Sequence, residues 1–349
     1  MTSPCTMNSR SFKIHAWLAR SFRTLLLGGL AWLTWAQPTI AQPITQEPSL
    51  SAWLLRMHEA SERNNYIGTI VVSSPSQLVS SRIWHACDGL QQIERVDSLN
   101  GVPRSTFRRG AEVLTFLPQT SSVVAETREA LALFPHLLKN PQSDLERFYG
   151  IRLEEGQRVA GLQTDLVHLY PRDRLRYGYR IWSERRTGLV VKLQTMSEDG
   201  QVLEQTAFSE LQIDAPVSIR QMARMMGNTR GYKIERPILT KTSLEAEGWH
   251  YVIPAQGFKA TGCYRRTLAA DVRAEPVLQC VFTDGLASVS LFLETFDPRL
   301  HLKEGQQAVG ATQALTRRLG DPSRAWWLTA VGEVPLPTLA AFARSLERN

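Results

Sequence analysis

The chain has 349 residues, a formal net charge of +7, 43% hydrophobic residues and 21% charged residues, which excludes an intrinsically disordered protein. Residues 1–41 hold four cations and no acid, so removing them lowers the cations from 40 to 36 against 33 acids. A remaining charge near +3 does not indicate nucleic-acid binding.

The N-terminus has the pattern of an export signal. Basic residues from Arg10 to Arg23 precede an apolar run from Leu25 to Ala36, and small residues then favour cleavage after Ala41, with Ala36 as the alternative site. A membrane anchor is the other interpretation, but the uninterrupted apolar run is short for a bilayer span. We therefore predict that residues 1–41 are a cleaved signal peptide.

About 308 mature residues exceed the usual size of one domain, so two domains are expected. Cys263 and Cys280 bracket a segment that can close as a hairpin. We predict a disulfide between them, because exported proteins meet an oxidising compartment, and closing this loop would contribute roughly 3 kcal/mol.

Residues 42–214 are predicted to form a large, mainly antiparallel β domain. Apolar residues recur at helical spacing over Ser49–Glu62, and short extended runs follow from Tyr66 to Leu117. The most regular stretch, Tyr177 to Leu211, predicts three antiparallel strands with a turn at Asp199-Gly200. Its alternation predicts one buried and one wet face, as in an antiparallel sheet covered on one side.

A helical insert is predicted at residues 131–150, between two groups of strands. The concave face of a strongly curved sheet is either filled by helices or left open for an apolar ligand. The insert supplies apolar residues for either arrangement, as ordinary core or as a lid. The predicted lipid-cavity residues are Phe116, Leu133, Phe134, Tyr179 and Ile181.

A linker with one or two helical turns is predicted at residues 215–240, where the strand periodicity lapses. Residues 241–349 then alternate extended runs with turns and end in a helix after Pro337. They predict a small α+β domain. The fold class is therefore α+β and mainly antiparallel β.

Motifs of catalysis are missing from the sequence. It contains no nucleophile elbow, phosphate-binding loop, dinucleotide fingerprint or C-x-x-C pair, and His58-Glu59 lacks the second histidine of a zinc-protease motif. The mature histidines are scattered singly. We predict no catalytic site, no metal site and no cofactor.

Three stretches carry a resemblance to a known family: YGYRIWSERRTGLVVKLQTMSEDGQVLEQ, VFTDGLASVSLF and LTAVGEVPLPTLAAFARSL. In this order, with a signal and a linker, they resemble the RseB/MucB family of periplasmic negative regulators of an envelope-stress sigma factor. The resemblance implies a large unclosed barrel similar to the lipoprotein carriers LolA and LolB, and periplasmic localisation. It also implies binding of the periplasmic segment of a membrane anti-sigma factor resembling RseA or MucA, protection of that segment from its regulatory protease, and release by lipid or lipopolysaccharide.

The predicted partner-binding residues are Trp326, Trp327, Leu336 and Leu339. Adjacent tryptophans on a strand cannot both face the same core, so one of them is available to a partner. A periplasmic lipid or lipoprotein carrier is the rival function, and the sequence leaves homo-oligomer formation open.

Overall fold

A computed structural model describes residues 49–127, 145–267, 275–320 and 325–348. The predicted signal peptide and the cavity candidates Leu133 and Phe134 lie outside these ranges. Within the same ranges, no helix is long and apolar enough to cross a membrane.

Most of the described chain belongs to two antiparallel sheets, supplemented by three helices and two short 3-10 turns. The helices are α1 (Leu50–Arg63), α2 (Ile219–Gly227) and α3 (Leu336–Arg344), and the turns are Pro118–Thr120 and Leu145–Arg147. The strands of the first sheet are β1 (Tyr66–Ser74), β2 (Gln77–Cys87), β3 (Gln92–Ser98), β4 (Ser105–Arg109), β5 (Glu112–Leu117), β6 (Ser122–Thr127), β7 (Tyr149–Val159), β8 (Leu162–Pro171), β9 (Gly178–Glu184), β10 (Val190–Met196), β11 (Val202–Ile213) and β12 (Lys233–Glu235).

The first sheet is open, with spatial order β12-β6-β5-β4-β3-β2-β1-β11-β10-β9-β8-β7. Its two edges, β12 and β7, do not pair with each other. Neighbouring strands are antiparallel except for the parallel pair β12 and β6. The predicted mainly antiparallel, unclosed sheet is confirmed.

Helix α1 covers part of the inner face of this sheet. The Ser49 side chain accepts a hydrogen bond from the Ala52 N–H at 3.2 Å and so caps the helix. Trp53, Leu54 and other apolar residues at helical spacing then pack against the β8 and β9 side chains. The helix thus fills one end of the concave face.

The strands β9, β10 and β11 form from the stretch Tyr177 to Leu211, and Gly200 takes a φ of 80° in the turn between the last two. Ile181 pairs with Leu193, which places both on one face as predicted. The opposite face differs from the predicted wet surface. There Trp182 is only 4% exposed, and the Lys192 ammonium lies 4.4 Å from its ring centroid.

The segment 215–240, predicted as a linker with one or two helical turns, contains α2 and packs on the first sheet. Met222 and Met226 of α2 pack beneath the sheet with Phe107 and Phe116, and β12 extends the sheet along β6. A methionine pair four residues apart therefore serves as a packing face. Residues 236–237 alone separate β12 from the next strand, which belongs to the second sheet.

The second domain is built on a seven-stranded sheet and a two-stranded sheet. Its strands are β13 (Ile238–Thr242), β14 (Trp249–Tyr251), β15 (Lys259–Thr267), β16 (Val277–Thr283), β17 (Ser288–Thr295), β18 (Gly305–Val309), β19 (Thr312–Leu319), β20 (Trp326–Gly332) and β21 (Leu346–Arg348). The larger sheet has the order β13-β15-β16-β17-β20-β19-β18, and β14 pairs with β21. Helix α3 covers its core. Cys263 and Cys280 face each other on β15 and β16 and form a disulfide.

A buried ion pair joins the two domains. Arg176, which follows β8, donates from Nη1 to Asp284 Oδ2 at 2.8 Å, and both side chains are 0% exposed. Asp284 lies in the turn between β16 and β17, where the amides of Leu286 and Ala287 donate to its other oxygen. Burial raises the pKa of Asp284, while Arg176 and these amides oppose the rise.

The Arg176 guanidinium is enclosed by further contacts from both domains. Its Nη2 donates to the Gln256 carbonyl at 2.6 Å and its Nε to Asp173 at 3.1 Å. The ring centroids of Phe148 and Phe258 lie 4.5 and 5.3 Å from its central carbon. These contacts offset the free-energy cost of removing the guanidinium charge from water.

We expect Asp284→Asn to lower the free energy of unfolding by roughly 3–5 kcal/mol, because it removes the buried carboxylate that faces Arg176 and leaves the guanidinium with the partly exposed Asp173 as its remaining counter-ion. The matched control is Asp214→Asn, which breaks an exposed pair with Arg186 of 3.0 Å and should cost no more than about 1 kcal/mol. Urea titration of the three proteins measures both values. Equal losses in the two variants would contradict a structural role for the buried pair.

Candidate functional site

A cavity of about 340 Å³ lies between the inner face of the first sheet and the second domain. Six strands that are neighbours in the sheet contribute to it, from β3 through β2, β1, β11 and β10 to β9. The face is therefore concave, because side chains from so many strands point into one volume. The apolar lining residues are Ile70, Val72, Ile83, Val96, Tyr179, Ile181, Leu193 and Leu286.

The polar lining is acidic. Glu94, Glu204 and Glu333 contribute the charged groups, Ser81, Thr195 and Thr206 the hydroxyls, and neither lysine, arginine nor histidine is among the described lining residues. Burial raises the pKa of Glu204. Burial and the neighbouring Glu204 carboxylate both raise the pKa of Glu333, in that order of size. Glu333 comes from the second domain, and its side chain is exposed to solvent.

The β18–β19 hairpin of the second domain closes over the edge of this cavity. The Ala311 amide donates to the Glu204 carboxylate, and Gln313 Nε2 donates to the Tyr177 hydroxyl at 3.4 Å. Gly310 is at the tip with a φ of 60°, and a Cβ there would collide with Glu204 Oε2. The positive φ at this position thus favours a glycine.

The predicted cavity residues fall into three groups. Tyr179 and Ile181 line the cavity, whereas Leu133 and Phe134 lie outside the described residues. Phe116 is elsewhere. It packs beneath α2, with its ring centroid 5.4 Å from that of Tyr232, because the segment that we expected to be a linker covers this part of the sheet.

The predicted partner-binding residues are also divided by the structure. Leu339 is 0% exposed in the core of the second domain, and Trp327 is 6% exposed and stacks on His301. Neither side chain is available to a partner in this arrangement. Trp326 and Leu336 are half-buried and keep accessible surface.

The comparisons with known proteins agree with this two-domain arrangement. The family model of the MucB/RseB N-terminal domain matches residues 49–226, and that of the MucB/RseB C-terminal domain matches residues 243–347. The chain belongs to the MucB/RseB family.

Relatives of known role cover nearly the whole chain. The sigma factor AlgU regulatory protein MucB of Pseudomonas aeruginosa is 28% identical over 326 residues, which span 92% of this chain and 95% of that protein. The sigma-E factor regulatory protein RseB of Escherichia coli K12 is 22% identical over 303 residues, covering 86% and 91%. A crystal structure of MucB in complex with MucA(peri) has a TM-score of 0.65 and 27% identity, and covers 86% of this chain and 99% of that one.

Sequence reasoning missed four charged residues at the domain boundary of this MucB/RseB family member: Arg176, Glu204, Asp284 and Glu333. Glu204 carried a usable signal, since it alternates with Thr206 and Phe208 on the inner face of β11. A carboxylate on the apolar face of a strand is a departure from the pattern that identifies a buried polar site. Arg176 carried no such signal because it lies in a loop.

We expect Glu333→Gln to change how stability depends on pH. The pKa of Glu333 is raised in the folded protein. Below pH 4.5, the ordinary pKa of the group, the carboxyl is protonated in both states and costs the parent no stability. The free energy of unfolding then falls as pH rises through the raised pKa. The glutamine variant avoids that loss. It should therefore be more stable than the parent at neutral pH and equal to it in acid.

Free energies of unfolding from urea titrations at a series of pH values measure this difference. The control is Glu198→Gln, which removes an exposed carboxylate that pairs with Arg174 at 2.7 Å. If the free energies of unfolding of the parent and Glu333→Gln changed in parallel with pH, the cavity would not perturb the pKa of Glu333.

Proposed function

We propose that this protein binds the periplasmic segment of a membrane-bound anti-sigma factor and so keeps an envelope-stress sigma factor inhibited. The observation that carries the proposal is the similarity of both domains, in order, to a MucB chain solved with MucA(peri). The curated relatives are themselves regulatory proteins of sigma factors. The buried ion pair supports it physically, because it holds the two domains together in one arrangement.

Inhibition follows from shielding. A segment held against a folded surface is withdrawn from a protease, which needs the segment in an open, extended form. The protection is proportional to the fraction bound, so anything that weakens the complex releases the segment to cleavage. The protein acts as a binding module and performs no chemistry in this scheme.

The partner-binding surface that we propose surrounds Trp326 and Leu336. The Trp326 ring meets the Trp249 ring edge-on at 5.6 Å, and the Arg348 guanidinium lies 4.0 Å from its centroid. A half-exposed tryptophan held rigid in this way loses little side-chain freedom on binding, which favours a strong contact. Leu339 supports this surface from the core against which Trp326 packs, whereas Trp327 faces the other side of the strand and stacks on His301.

We assign to this cavity the lipid binding that would release the anti-sigma segment. Residues of both domains line it, so a ligand inside it has different affinities for a closed and an opened arrangement of the domains. A ligand shifts an equilibrium by that difference in affinity. Lipid binding would thereby weaken the partner site at a distance. The protein performs this role in the periplasm, after an export that the signal peptide, residues 1–41, directs.

A lipid or lipoprotein carrier is the second candidate, and the apolar walls of the cavity favour it. In that case the first domain would shuttle cargo and the second would dock at the acceptor. Mass spectrometry of lipid that remains bound through purification, with an assay of transfer to an acceptor, separates the two functions. Transfer without binding to the anti-sigma segment would favour the carrier.

We expect the mature protein to slow cleavage of the anti-sigma periplasmic segment by its regulatory protease in proportion to occupancy. Gel analysis of the cleavage time course, with the segment alone and with added protein, measures this effect. An unrelated substrate of the same protease is the control for direct inhibition of the enzyme. Absence of both binding and protection would refute the proposed function.

We expect Trp326→Ala to weaken binding of the anti-sigma segment by tenfold or more, since truncating a central interface tryptophan costs roughly 2 kcal/mol. Trp84→Ala is the matched control, because Trp84 is also half-buried and lies on the first domain beneath α2. Fluorescence anisotropy with a labelled segment measures both. Unchanged affinity in Trp326→Ala would show that Trp326 is not part of the interface.

A further inference from the structure

Basic side chains form a row across the outer face of the first sheet, opposite the face that lines the cavity. Arg152 of β7 is the register partner of His168 of β8, and His168 is in turn the partner of Arg180 of β9. Lys192 of β10 lies diagonally from Arg180, since it pairs with Trp182 two residues further along β9. Four adjacent strands thus each contribute one basic group to a single surface.

The basic groups of this row repel one another, because like charges on directly opposed strands destabilise a sheet. Burial lowers the pKa of His168, and Arg180 and Arg152 lower it further, whereas Glu154 opposes them. Burial and Arg180 likewise lower the pKa of Lys192. The four side chains are therefore close enough to interact, and their mutual repulsion opposes folding.

The acids of the described chain leave most of this charge unpaired. Glu154 forms a salt bridge with Arg152 at 3.0 Å, but neither Arg180 nor Lys192 has a salt bridge to a described carboxylate. Arg152 Nη2 also donates to His168 Nδ1 at 3.4 Å. Three permanent cations and one acid give the row a charge of +2 while His168 is neutral.

The row also has fixed walls. The Lys192 ammonium lies 4.4 Å from the ring centroid of the buried Trp182, and the Tyr170 ring meets the His168 ring edge-on at 6.4 Å. Tyr170 can lie there because Gly150 has no side chain, since a Cβ on Gly150 would collide with the Tyr170 ring. These contacts reduce the side-chain freedom that is lost when a ligand binds.

We propose that the row formed by Arg152, His168, Arg180 and Lys192 is a binding site for a phosphate group. A phosphate monoester carries a charge of about −1.5 to −2 at pH 7, which matches the charge of the row, whereas one carboxylate supplies about half of it. Guanidinium groups donate to phosphate oxygens in pairs. An anion between Arg180 and Lys192 attracts both cations and so offsets their repulsion. The site goes beyond the proposed function, because it uses neither the cavity nor the surface around Trp326.

Phosphate should raise the pKa of His168, because a bound anion favours the imidazolium. NMR titration of the mature chain in inorganic phosphate, and in chloride of equal ionic strength, measures this change. The spectrum of His168→Gln assigns the signal, and the His250 resonances of the second domain are the control, which should not move. If phosphate changes the His168 titration no more than chloride does, the site is refuted.

Arg180→Gln should weaken binding of inorganic phosphate roughly tenfold or more, as expected for the loss of a hydrogen bond between charged groups. It should also make the free protein more stable, since it removes a repulsive charge. Arg174→Gln is the matched control, because it removes the same charge from an exposed site of the same domain. Isothermal titration calorimetry and urea titration measure the two effects. Equal weakening in both variants, or a less stable Arg180→Gln that keeps its affinity, would overturn the proposal.

Vesicles identify the source of the phosphate group. Flotation with phosphatidylcholine vesicles, with and without phosphatidic acid, tests a lipid head group, while calorimetry tests the free anion. Binding to phosphatidic acid that Arg180→Gln abolishes would assign the site to a lipid head group, and binding of the free anion alone would assign it to a soluble phosphate ester. Both results support a phosphate site, and the absence of both refutes it.

Discussion

The arrangement of the two domains depends on one ion pair, because Arg176 and Asp284 are removed from water in opposite domains, and the other carboxylate at Arg176, Asp173, belongs to the same domain as the arginine. Desolvating two charges costs several kcal/mol each, and the cost is met only where geometry is good and every donor is used. Here the amides of the β16–β17 turn, the Gln256 carbonyl and two phenylalanine rings complete the set. The pair therefore specifies one relative position of the domains more strictly than apolar contact would.

The three stretches that carry the family resemblance meet around the same cavity. Residues 177–205 supply β9, β10 and Glu204, residues 281–292 supply the Asp284 turn and Leu286, and residues 328–346 supply Glu333 and α3. They are far apart in the chain and belong to two domains. What they have in common is the boundary, which combines an apolar wall, a pair of carboxylates and the buried ion pair. A ligand at the boundary would therefore contact both domains.

The sequence predicted most of the first sheet and little of the boundary, for physical reasons. Strand alternation identified Tyr179 and Ile181 as inward-facing because local pleating determines the face of a side chain. The same alternation placed Phe116 in the cavity, but α2, which lies about a hundred residues later in the sequence, covers that strand. Trp327 and Leu339 were expected at a partner surface but are core residues, because their burial depends on His301 and on the packing of α3. Arg176 finds its counter-ion 108 residues away, and no local pattern encodes such a pairing.

The two-residue crossing between the sheets limits how the domains can move. Because β12 is hydrogen-bonded to the first sheet and β13 to the second, any opening must be absorbed at Arg236 and Pro237, and proline holds one of the available dihedrals near a single value. Such a short hinge spans roughly 10 Å when fully extended. The two domains therefore cannot drift apart, and contact between them is a local, intramolecular event whose rate does not depend on protein concentration.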